Sequence, residues 1–148
     1  MDERTAIIDW IVHAGLSGVS EVDLVAGVCE RLRDAGVALV RGSVANDLLD
    51  PTYDGRGVRW VRDRGGVEEV FARTEEGFVN EDWVRSPFRL LMESGQPVLR
   101  RRLDASHRRG ELPLLDRFQD QGATDYVAHW TRVGAGVVVG EGEGIVSS

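Results

Sequence analysis

Lysine is missing altogether: all 18 basic residues are arginine. With no primary amine on any side chain, Schiff-base chemistry and a phosphate-loop lysine are both excluded. Cysteine is nearly as scarce. A lone Cys29 forms no intrachain disulfide and builds no thiolate metal cluster, and its helically spaced neighbours Val25, Val28 and Leu32 mark it as a core residue. Histidine is confined to His13, His107 and His129; none stands at the four-residue spacing that sets two imidazoles on one helix face, so no metal site is expected. No run approaches the ~18 consecutive apolar residues of a membrane span. Met1-Asp2-Glu3-Arg4 is too acidic to open a signal peptide, which makes the cytoplasm the expected compartment. Basic charge is also in deficit. A formal net charge of −7 does not supply the basic face that neutralises phosphates, so nucleic acid is not an expected partner. The serine elbow Gly-x-Ser-x-Gly does not occur either.

What is present suits one domain of 148 residues with a single core. Ile7, Ile8, Trp10, Ile11 and Ala14 recur at helical spacing up to Gly15. Ser20 with Asp23 resembles a capping box, and the stripe Val25, Val28, Cys29, Leu32 predicts a second helix ending at Gly36. Val37–Ala45 is β-branched and apolar with Arg41 in its middle, which predicts a strand running out into the turn-rich segment 46–51. Segments 58–62 and 67–72 read as a hairpin around Asp63-Arg64-Gly65-Gly66. Ser86-Pro87 starts a short helix that closes at Gly95. A strand over 98–103, a helix over 113–121 and a hairpin of 124–132 with 136–139, turning near Gly134, follow. Gly140-Glu141-Gly142-Glu143-Gly144 reads as a flexible tail, with strand character resuming at Ile145-Val146. The pattern predicts an α+β fold: 1–36 helical, 37–148 a mostly antiparallel sheet with inserted short helices.

Few residues are placed for chemistry. The pairs Glu68-Glu69, Glu75-Glu76 and Glu81-Asp82 offer carboxylates, but neighbours in a strand point apart and commonly face water. Arg100-Arg101-Arg102 with His107-Arg108-Arg109 is the densest basic patch. It suits an anion or an acidic partner, or else an acid-paired, solvated edge. The aromatics Trp60, Trp83, Phe88, Tyr126 and Trp130, with His129 between the last two, are candidates to line one small-molecule cavity beneath Phe88. The same residues make ordinary cores. On the first helix, Ile7, Ile8, Trp10 and Ile11 spread over more than one face, and one contact within the chain cannot cover them all; they are the candidate homodimer interface.

Four segments carry a family resemblance: Gly27-Val28-Cys29-Glu30-Arg31-Leu32, Ser86-Pro87-Phe88-Arg89-Leu90-Leu91-Met92-Glu93-Ser94-Gly95, Leu99-Arg100-Arg101-Arg102-Leu103 and Gly122-Ala123-Thr124-Asp125-Tyr126-Val127. In order and spacing they resemble the N-terminal region of proteobacterial class III adenylate cyclases over about residues 5–133. The resemblance implies a GAF-like sensory domain, set ahead of a separate catalytic domain that makes cyclic AMP. That catalytic half, with its metal-binding aspartates, has no counterpart here, and neither has the closing helix that would lead into it. The expectation is therefore a non-catalytic, cytoplasmic regulatory module without a resident cofactor, sensing a small molecule or mediating dimerisation in cyclic AMP signalling. The alternatives are a ligand-free structural dimerisation domain and a small hydrolase using His129 and a carboxylate.

Overall fold

The computed structural model describes residues 1–47, 53–72, 84–132 and 138–146. Among them are four helices, α1 (Glu3–Leu16), α2 (Glu21–Asp34), α3 (Pro87–Ser94) and α4 (Pro113–Asp120). Six strands accompany them: β1 (Leu39–Asp47), β2 (Tyr53–Val61), β3 (Gly65–Ala72), β4 (Val98–Arg102), β5 (Asp125–Arg132) and β6 (Val138–Val146). The helix starts follow from their caps. Asp2 accepts from the Thr5 amide at 2.7 Å, Ser20 from the Asp23 amide at 3.1 Å and Ser86 from the Arg89 amide at 3.1 Å, each satisfying a donor that the first turn leaves free. α3 stops at Gly95, whose φ of 68° is open to a residue without a Cβ.

The strands form one antiparallel sheet in the order β3-β2-β1-β6-β5-β4. Thus the first and last strands are neighbours at its centre. The expected hairpin of β2 and β3 is present, but its turn is Arg62-Asp63-Arg64, with Asp63 left-handed at φ 65°. Gly65 and Gly66 belong to β3 instead. There a Cβ on Gly66 would stand 3.0 Å from Val22 and 3.4 Å from Ala26 of α2, so the glycine lets that helix settle on the sheet.

A larger correction concerns 140–144, expected as a loose tail. It is the middle of β6, paired on both sides, with Gly142 opposite Val44 and His129, and Gly144 opposite Gly42 and Val127. Two full ladders of backbone hydrogen bonds offset the poor strand propensity of glycine.

α2 lies on β1, β2 and β3, and α1 packs chiefly on α2. Val25, Cys29, Leu39, Val58 and Trp60 form the core on that side. On the opposite face α3 and α4 cover the other half of the sheet, burying Leu91, Leu103, Leu112, Leu115, Phe118 and Tyr126. Partners in a ladder share a face. The row Trp60, Gly42, Gly144, Val127 therefore lies on the α2 side, and Tyr126 and Ala128 alternate to the other. The two helical layers are offset, which leaves half of each sheet face without a covering helix among the described residues.

Candidate functional site

The register does not bring the expected aromatic cluster together. Trp60 is 1% exposed in the α2-side core, with Gly42 and Gly66 beside it in its row. Phe88, Tyr126 and Trp130 belong to the core on the opposite face. Tyr126 stacks on Phe118 at 6.3 Å between centroids, and the Trp130 indole donates to the Gln96 carbonyl at 3.1 Å. His129 alternates away from both neighbours and is exposed, opposite Val98. Trp60 and Trp130 thus lie on opposite faces of the sheet and line no common cavity. Period-2 alternation and the strand order, which decide this, are invisible in a list of aromatics. Trp83, Glu75-Glu76 and Glu81-Asp82 lie outside the described residues.

A cavity of about 260 Å³ opens elsewhere, where α4 ends over the uncovered half of the sheet. β1 contributes Val40 and Arg41, β2 contributes Arg59 and Val61, and the hairpin contributes Arg64, Gly65 and Val67; Phe118, Gln121 and Ala123 close it from the α4 side. The Arg41 guanidinium stands 5.1 Å from the centre of the Phe118 ring, a cation–π distance. Arg59 is held by Glu69 at 2.8 Å. On the same face, two residues along β1 from Arg41, the Ser43 hydroxyl is buried without a hydrogen-bond partner among the described residues. Three guanidiniums and an apolar floor can hold the head and body of a small anion. In the sequence Arg41 stands out as a charge inside an apolar strand. Arg59 and Arg64 do not stand out there, because only the pairing of Arg41 with Val61 and of Arg59 with Val67 makes them neighbours.

In the basic patch at 100–109, three of the five arginines are acid-paired. Arg100 meets Asp125 at 2.5 Å, Arg101 meets Glu111 at 3.8 Å, and Arg109 meets Asp120 at 3.0 Å. The Arg100 guanidinium draws the Asp125 carboxyl below its ordinary range. These pairs are exposed and contribute little to stability. The adjacent carboxylates Glu68 and Glu69 likewise part, to Arg56 at 3.1 Å and Arg59 at 2.8 Å. Burial, with the Glu30 charge second, pushes the Cys29 thiol up to about 11, which leaves it without nucleophilic thiolate near neutrality. Among the described residues no three His, Cys, Asp or Glu side chains gather as metal ligands, and no helix is long and apolar enough to cross a membrane.

The proposed dimer residues divide. Trp10 lies across α2: a Cβ on Gly27 would come within 2.2 Å of its ring, and Arg31 stacks over it at 3.7 Å. Ile7 and Ile11 are half-buried and share this face by spacing with the buried Ala14. Trp10 is therefore part of the seam within the chain and does not belong to an outward interface. Ile8 remains outside, 51% exposed, in a row with Val12 at 52% and Leu16 at 84%. Neither a protein-family model nor a curated protein sequence matches this chain.

Proposed function

We propose that this chain is a regulatory input module, GAF-like in fold, that works as a homodimer and senses a small molecule. In this reading it is non-catalytic and biases a catalytic domain supplied elsewhere, as in the cyclases its sequence resembles. A signal acts by binding one of two arrangements of the dimer more tightly than the other.

The observation that carries the reading is the outer face of α1. Ile8, Val12 and Leu16 form an i, i+4, i+8 row on the side turned away from Trp10 and Ala14. α1 packs chiefly on α2, and the row stays exposed among the described residues. A second copy presents an identical row. Two such ridges interdigitate across a two-fold axis, the commonest way that helices pack, and the surface is then complementary to itself.

Sedimentation equilibrium of the full chain tests this. We expect a dimer that Val12→Glu weakens at least about tenfold, because a carboxylate would be desolvated in an apolar seam. Val98→Glu, at a similarly exposed valine on β4 (48%), should leave association unchanged. A monomer at all concentrations, or equal effects of the two substitutions, would overturn the reading.

A further inference from the structure

We infer that the cavity beside α4 binds a small organic anion, its charged head held by Arg41 and Arg64 and its apolar body seated on Phe118, Val61 and Val67. This rests on the sensory part of the function proposed above, and gives it a place and a ligand class.

Charge selects the class. In a chain where 25 acidic residues outnumber 18 basic ones, this cavity is lined by three arginines and by no carboxylate among the described residues. Glu69 engages Arg59 and fixes that guanidinium to one side. Arg64, on the hairpin turn, makes no ion pair among the described residues. The planar, permanently charged guanidinium matches a carboxylate or phosphate with two parallel hydrogen bonds. The contrast with the arginines at 100–109 is informative. There Arg100, Arg101 and Arg109 each have a carboxylate partner, and the exposed Arg102 and Arg108 line a depression without the aromatic wall that Phe118 supplies here.

Shape and polarity select the rest. A volume of about 260 Å³ admits a body of roughly single-ring size, below the range usual for drug-sized ligands. Val61, Val67 and Phe118 give that body an apolar wall, and Phe118 is itself fixed by the Tyr126 ring stacked on it. The buried Ser43 hydroxyl is a further polar group on the same face, of the kind that is ordinarily satisfied.

The test is a titration of the full chain with benzoate, phenyl phosphate and the neutral benzamide, followed by heteronuclear NMR. We expect an anion to shift the amides of Val61, Val67 and Ala123 and to bind at least about tenfold more tightly than benzamide, the factor that one charge-assisted hydrogen bond supplies. The better of the two anions identifies the head as carboxylate or phosphate, and either supports the site. Arg64→Gln, at an exposed turn position, should weaken the anion about tenfold, and Arg41→Gln at least as much. Arg101→Gln should change nothing. Equal affinity for benzamide and the anions, no binding of any of the three, or an equal loss in Arg101→Gln would overturn the inference. A chain that dimerises through Val12 yet binds neither anion keeps the regulatory reading and loses the site; a monomer that binds benzoate through Arg64 does the reverse.

Discussion

Asp116 shows how one side chain can organise a loop. From the first turn of α4 its carboxylate accepts the Gly110 amide at 2.8 Å and the His107 imidazole at 2.7 Å. The backbone hydrogen bond, with His107 and the Arg109 charge in support, holds its pKa below the ordinary carboxylate value. A carboxyl depressed in the folded state stabilises the fold fully above its unfolded pKa, about 4, and that contribution is lost as pH falls through the lower folded value. The protein should therefore lose stability on acidification below about pH 4. In Asp116→Asn this acid limb should be flatter, from a starting point at neutral pH lower by about 1–3 kcal/mol, because Asn offers one acceptor oxygen where Asp offers two, and Gly110 or the 6%-exposed His107 loses its partner. Urea melts of both proteins across the acid range check this; parallel acid limbs would show that Asp116 does not set the dependence.

At the scale of elements, α1 and α2 meet through Trp10 and Gly27. Alanine is better than glycine in a helix by about 1 kcal/mol, so propensity alone favours Gly27→Ala. Packing opposes it: the new Cβ would fall 2.2 Å from the Trp10 ring, and overpacking typically costs about 1–3 kcal/mol. Swinging the ring clear would also give up its stacking with Arg31. We expect Gly27→Ala to be destabilising in the native sequence and neutral or stabilising beside Trp10→Ala, a sign change that a double-mutant cycle of thermal melts would read. Residue order alone made the caps and stripes of these helices legible, because Ser20 with Asp23 and Ser86 with Pro87 are local signals. It did not make the role of Trp10 legible. Ile7, Ile8, Trp10 and Ile11 are all apolar, and only the seat on Gly27 decides which of them face inward. β6 is illegible in the sequence for a related reason. Alternating Gly and Glu has the composition of a linker, and the two strands that pair with it, β1 and β5, begin about 100 and 13 residues earlier in the chain.

For the whole molecule, the sheet is a wall shared by two separate clusters of buried residues among the described ones. β1 shows the sharing most directly: Leu39 is buried with Trp60 and Val58 on the α2 side, and Arg41, past an irregularity in the pairing with β6, faces Phe118 on the other. A single core was expected from chain length, and an α+β fold with an antiparallel sheet from the pattern of elements. The second expectation agrees with the structure; the first does not, because composition counts apolar residues without saying which face of a sheet receives them. The same blindness hid the arginine cavity, which exists only where the two offset helical layers leave the sheet open. The shared wall has a consequence for unfolding. Leu39, 4% exposed, and Leu115, fully buried, sit in different cores, and truncating each to alanine should cost about 2–5 kcal/mol. Sites so separated usually add. If the strands couple both layers into one cooperative unit, Leu39→Ala/Leu115→Ala should lose the sum, about 4–10 kcal/mol, which approaches the whole stability of an ordinary domain. It should do so in one transition seen alike by tryptophan fluorescence and far-ultraviolet circular dichroism. If each face instead unfolds independently, the fluorescence of Trp60 will follow only Leu39→Ala and the two probes will separate. The other tryptophans also contribute to fluorescence; a chain carrying Trp10→Phe, Trp83→Phe and Trp130→Phe, in which Trp60 is the only tryptophan, assigns the signal to the α2-side core.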